Sequence, residues 1–157
     1  MNAAHYHLLL NHLPPLGALF GFLLLSAGVA RKSGELVRAS FVALVLVGLL
    51  ALPTYFTGEP AEEVVEHAPG VSESVIEPHE ESAEASLSTA LVLAALSLAG
   101  LILYRRREIP RGFALGTLAL ALVVTGMMAW TAHLGGKIRH VEIRGESANF
   151  AVPAEED

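Results

Sequence analysis

Four long apolar blocks constrain this chain more than any other feature. Leu8 to Ala30, Ala39 to Phe56, Leu87 to Tyr104 and Gly112 to Leu134 run 18 to 23 residues each and are almost free of charge. A helix needs roughly 20 such residues to cross the hydrocarbon of a bilayer. Helices of a soluble bundle would alternate polar and apolar faces, and these blocks do not. The chain therefore reads as all-α, an integral membrane four-helix bundle over residues 1–140, with spans at about 8–30, 39–56, 84–104 and 112–134 and a tail at 141–157. The opening MNAAHYH has no positive segment and no small-residue cleavage site behind it, so no cleaved leader is expected.

The basic residues orient the bundle. Arg31, Lys32 and Arg38 fall between the first two spans, and Arg105, Arg106, Arg107 and Arg111 between the last two. These seven of the ten Lys and Arg mark two cytoplasmic loops. Both termini and the loop between spans two and three are then exterior or periplasmic. The inner side has a net charge of +5 and the outer side −11, within the total of −6.

With that orientation all seven histidines, His5, His7, His12, His67, His79, His133 and His140, lie on the outer side. Imidazole is the commonest protein ligand for transition metals and haem, so this one-sidedness is the strongest functional signal. His12 immediately precedes the first span, whose start is marked by Pro14 and Pro15. The acidic loop holds EPAEEVVEHAPG, expected as a short helix from Pro60 to His67, with Glu63 and His67 four apart on one face. A long third helix is expected to start at Glu77 and Pro78 and to run about 45 Å, with its first two turns outside the membrane. Below His79 on this helix, Ala83, Ser86, Ala90, Ala94 and Ser97 form a stripe of small residues. Such a stripe allows close helix approach or makes a wall beside a flat cofactor. The fourth helix is expected to end at Gly135 and Gly136, with a strand from Lys137 to Arg144 beyond it.

HLLLNHLPP near the start, YFTGEP after the second span, HEESAEA opening the third and TAHLGGKIRH closing the fourth form an ordered set. In that order they resemble a family of bacterial four-helix membrane proteins known as a domain of unknown function. Its members begin with two histidines spaced by four residues and a proline, then carry TG, HE and GG at the later positions. Here these are His7 and His12, Thr57 and Gly58, His79 and Glu80, and Gly135 and Gly136. The resemblance covers residue 7 to about residue 140, and His140 is spaced differently from the family's closing histidine. Some members are joined to cytochrome c modules, which implies a redox setting in the bacterial inner membrane.

Three functions follow as expectations. The first is a membrane redox protein holding b-type haem at the exterior end, with axial ligands from His12, His79 and His133 and then His7. It would exchange electrons with a larger respiratory complex, a quinone or a soluble cytochrome. The second is a copper, zinc or iron site without porphyrin, drawn from His7, His12, His67, His79, His133, Glu63, Glu66 and Glu80. The third is an accessory subunit of a larger membrane complex, its histidines only hydrogen-bonded. His5 reads as part of a solvated terminus.

Other classes find no support. The chain has no cysteine, so thiolate sites, disulfides and C-x-x-C-H haem attachment are excluded. It has no G-x-S-x-G elbow and no glycine-rich phosphate loop. HEESA lacks the second histidine of a zinc-protease helix. No ionisable residue lies in the middle of a span, which speaks against transport. The acidic exterior should repel nucleic acid.

Overall fold

A computed structural model describes residues 2–68, 70–140 and 143–144. Among the described residues there are six helices: α1 (Ala3–Leu10), α2 (Leu13–Ala30), α3 (Gly34–Phe56), α4 (Gly58–Val65), α5 (Glu73–Leu103) and α6 (Arg111–Arg139). Four of these elements are long, and together they form an all-α four-helix bundle. No strand occurs among the described residues.

The proline pair explains why α1 and α2 are separate. Pro14 and Pro15 have no N–H, and their rings press on the carbonyls one turn back, so α1 cannot run unbroken into α2. The 18 residues of α2 reach about 27 Å without α1. The 31 residues of α5 reach about 46 Å against a core of roughly 30 Å, so its first turns stand beyond the hydrocarbon. This helix starts at Glu73, earlier than Glu77 and Pro78. It carries Pro78 inside its second turn, where the Ser74 carbonyl loses its usual donor. The short acidic helix is α4, offset toward Gly58 from the expected Pro60 start.

Helix α2 packs on α3 and α6, and α5 packs on the same two, so α2 and α5 are diagonal partners in a four-cornered bundle. Phe41, Leu25, Leu44, Leu93 and Val124 are fully buried at its centre. Leu16, Phe20, Leu23, Leu49, Val92, Ile102, Leu122 and Val123 are more than half exposed and point outward from all four long helices. Water would not tolerate an apolar surface of that extent; lipid does. Four helices are long and apolar enough to cross a membrane, and the chain is a multi-pass membrane protein in contact with the bilayer.

The small stripe on α5 serves close packing. Ser86, Ala90 and Ser97 are buried, and a Cβ at Gly48 of α3 would lie 2.5 Å from the Ala94 Cβ and 3.3 Å from the Ala90 carbonyl oxygen. Backbones this close leave no slot for a flat cofactor, so the stripe is not a cofactor wall.

Two expectations at the end of α6 are corrected. The helix runs through Gly135 and Gly136 to Arg139, and Lys137–Arg139 are helical where a strand was expected. Arg144 terminates it by donating from Nε to the Lys137 carbonyl at 2.7 Å and from Nη2 to the Ile138 carbonyl at 3.1 Å. Its Nη1 donates to the Gly70 carbonyl at 2.6 Å, tying the helix end to the loop before α5. The remaining tail residues expected at 141–157 lie outside the described residues.

At the arginine-rich end, Arg38 of α3 donates from Nη2 to the carbonyls of Tyr104 and Arg107, both at 2.6 Å. The guanidinium thereby ties α3 to two carbonyls of the turn that follows α5, where the Tyr104 carbonyl also accepts from the Arg107 N–H at 3.2 Å.

Candidate bis-imidazole site at the histidine-rich end

Helices α1 and α4 pack on each other and on α3, forming a cap at the end of the bundle opposite the arginines. Within this cap His7 is half-buried. Its Nδ1 lies 3.1 Å from the Thr54 carbonyl oxygen and 3.2 Å from Thr57 Oγ1. Because α3 ends at Phe56, the Thr54 carbonyl has no helical N–H to accept, and the Thr57 hydroxyl, donating at 2.8 Å, and the imidazole share that place. Gly58 stands beside the ring, where a Cβ would be 3.9 Å from His7 Cε1.

His79, in the second turn of α5, is held in the same way by α6. Its Nδ1 lies 3.0 Å from the Thr131 carbonyl oxygen. That carbonyl is in a helix interior, so it is reachable only if the residue one turn later leaves it uncovered. The residue is Gly135, where a Cβ would stand 2.9 Å from His79 Cε1 and 3.2 Å from Nδ1. The glycine is there for the imidazole, which is why it does not end the helix. Thr131 Oγ1 also meets the hydroxyls of Ser82 at 2.7 Å and Ser86 at 2.9 Å, locking α5 to α6 under the ring.

These contacts fix the chemistry of both rings. A carbonyl oxygen can only accept, so Nδ1 carries the proton in each, and Nε2 is left with a free lone pair. An Nδ1–H held by a main-chain carbonyl is the arrangement that orients a metal-binding histidine and strengthens it as a ligand. Burial, ahead of a smaller contribution from the His79 charge and against the Thr54 hydrogen bond, holds the His7 imidazole below its ordinary value. One helical turn after His7, Asn11 Oδ1 is buried without a hydrogen-bond partner.

The other candidates do not join this pair. His12 is exposed at the start of α2. His133 is exposed with its ring 5.5 Å from that of Trp130. His67 is exposed and 3.2 Å from Glu66 of its own loop, and Glu63 is exposed on α4. Glu80 is exposed on α5 and hydrogen-bonds Glu62 of α4. That bond, with partial burial and the Glu80 charge, holds the Glu62 carboxyl above the ordinary carboxylate value. Among the described residues, no three His, Asp or Glu side chains converge as a metal-binding group.

Thr54, Thr131, Asn11 and Glu62 are the parts the sequence did not point to. The first two act through main-chain carbonyls, which leave no mark on residue type. The usable signal was the glycines, once Gly135 is understood as an opening onto a helix carbonyl.

Comparison with known protein families, curated proteins and solved structures finds no match for this chain.

Proposed function

We propose that this multi-pass membrane protein is an electron-transfer protein whose histidine-rich end holds b-type haem through His7 and His79. The reading rests on one observation: two half-buried imidazoles from different helices at the same end of the bundle, each with Nδ1–H on a main-chain carbonyl. Number of ligands favours haem over a bare ion in this reading. Zinc, or an iron or copper site built from imidazole and carboxylate, takes three or four protein ligands, and none of the described clusters offers three. A porphyrin brings four nitrogens of its own, so two histidines suffice.

When bound, haem supplies reversible one-electron chemistry. The chain's part is to fix both rings through Thr54 and Thr131 and to keep the Nε2 lone pairs free. The positive-inside rule puts the Arg-rich loops in the cytoplasm and the site on the periplasmic side of a bacterial inner membrane. There, the acidic α4 and its loop would favour a basic electron donor such as a soluble cytochrome, with a larger membrane redox complex as acceptor.

The optical spectrum of the protein purified after haem-supplemented expression tests this. A Soret band and a positive pyridine haemochrome are expected. They should be lost in His7→Ala and His79→Ala and kept in His12→Ala and His133→Ala. A colourless wild-type protein that takes up no added haem would overturn the reading.

A further inference from the structure

At the opposite end of the molecule a cleft of about 240 Å³ lies between the α2–α3 turn and the start of α6. Lys32, Ser33, Glu108 and Arg111 supply its polar lining, over a floor that includes Val37 and Ala114. We infer that this cleft binds a phosphate group, with Lys32 and Arg111 as its charged partners.

Three features make the cleft suited to an anion. Arg38, the nearby arginine of α3, is committed to the Tyr104 and Arg107 carbonyls and holds the α5–α6 loop in place, so Lys32 and Arg111 are the cations left to the cleft. The cleft is bordered by the first turns of both α3 and α6. No side chain caps α6, and among the described residues nothing beyond its chain neighbours and own helix backbone lies within 4 Å of where a Cβ would stand at Gly112, so the approach to that first turn is open. The first turn of α3, by contrast, is capped by Ser33 Oγ, which accepts from the Leu36 N–H at 3.3 Å. Lys32 itself sits two residues after the end of α2, just beyond the C-cap Arg31, with φ 53°, and the Ser33 N–H bonds back to the Gly28 carbonyl at 2.9 Å. Glycine is the usual occupant of that left-handed position because any side chain strains it. A lysine kept there satisfies no need of the turn, whereas it does place an ammonium at the cleft. Glu108 is the opposing charge on the rim and limits the affinity.

A phosphate here comes either from an anionic lipid of the adjoining leaflet or from solution; the chemistry recognised is the same. Native mass spectrometry of the detergent-solubilised full chain separates the two. Phosphatidylglycerol, phosphatidylcholine and inorganic phosphate are titrated separately, and inorganic phosphate is then added against bound phosphatidylglycerol. Phosphatidylglycerol should bind more tightly than phosphatidylcholine. Its affinity should fall about five- to tenfold in each of Lys32→Gly and Arg111→Gln. Lys32→Arg should retain binding and Glu108→Gln should tighten it. Displacement by inorganic phosphate identifies a site for the free anion, and resistance to displacement identifies a lipid headgroup site. Lys32→Gly relieves the strained turn, so it should melt no lower than wild type, and weaker binding in it cannot be blamed on misfolding. Wild-type affinity in both Lys32→Gly and Arg111→Gln overturns the inference.

Discussion

Replacing Gly135 by alanine tests the histidine-rich site at its tightest point. The new Cβ would stand 2.9 Å from His79 Cε1, 3.2 Å from Nδ1 and 3.6 Å from Nε2. Ordinary contact begins near 3.4 Å, so the ring must retreat by roughly 0.5–1 Å, away from the turn that carries the Thr131 carbonyl. The Nδ1 to oxygen distance, now 3.0 Å, then passes out of hydrogen-bonding range. A half-buried N–H left without an acceptor costs about 1–3 kcal/mol. Alanine in place of glycine inside a helix returns about 0.5–1 kcal/mol. The gain offsets part of the cost, so thermal melting should fall by only a few degrees. The ring itself reports the change far better, because losing its carbonyl frees it to move and to exchange tautomers. The assay is 15N NMR of labelled imidazoles in micelles together with the Soret amplitude. Gly136→Ala is the control: among the described residues its Cβ meets only Ile143, at 3.5 Å, so it should keep the His79 signal and gain stability. An unchanged Nδ1–H tautomer and full haem content in Gly135→Ala would refute the account of this site.

Other perturbations have equally definite outcomes. Gly48→Val puts side-chain atoms into the Ala90 and Ala94 contact and should cost about 1–3 kcal/mol by overpacking, read as a lower unfolding midpoint in detergent. Arg38→Gln removes two charge-assisted bonds at 2.6 Å; limited proteolysis should then cut the α5–α6 loop faster, and unchanged cleavage would argue against the tie. The Glu62–Glu80 contact predicts a pH effect. Because the folded carboxyl of Glu62 sits above its ordinary value, its contribution is complete below that value and is lost as pH rises through the raised one. Hydrogen exchange of α4, corrected for intrinsic rates, should show looser docking at neutral than at mildly acidic pH, and Glu62→Gln should abolish the difference.

The bundle was legible because 18 uninterrupted apolar residues leave few alternatives, and the proline pair marked the start of α2. Helix α1 was not legible: its eight residues flow in sequence straight into the first span, and only the proline rings divide them. The glycine pair misled for a physical reason. Glycine after an apolar run usually stops a helix, yet Gly135 serves a neighbour's ring, which sequence cannot reveal without knowing that α5 lies alongside. The α5 stripe had two meanings, and Gly48 on another helix chose between them. His12 stood out through its position beside the prolines, whereas the structure seats His7, five residues earlier, on the end of α3. Spacing along the chain located the cluster. Which members point inward depends on where a foreign helix ends.

The Arg38 tie also bears on how the molecule is built. Residue 38 belongs to the first hairpin, and its acceptors at 104 and 107 lie in the turn of the second. A ribosome delivers the donor long before the acceptors. Until the second hairpin enters the membrane, the guanidinium must remain in the headgroups, a cation that resists being drawn inward. Once the later turn arrives, the same group becomes a clasp between two separately inserted halves. Assembly and final architecture thus use one side chain in succession, first as a cation held at the headgroups and then as a fastener.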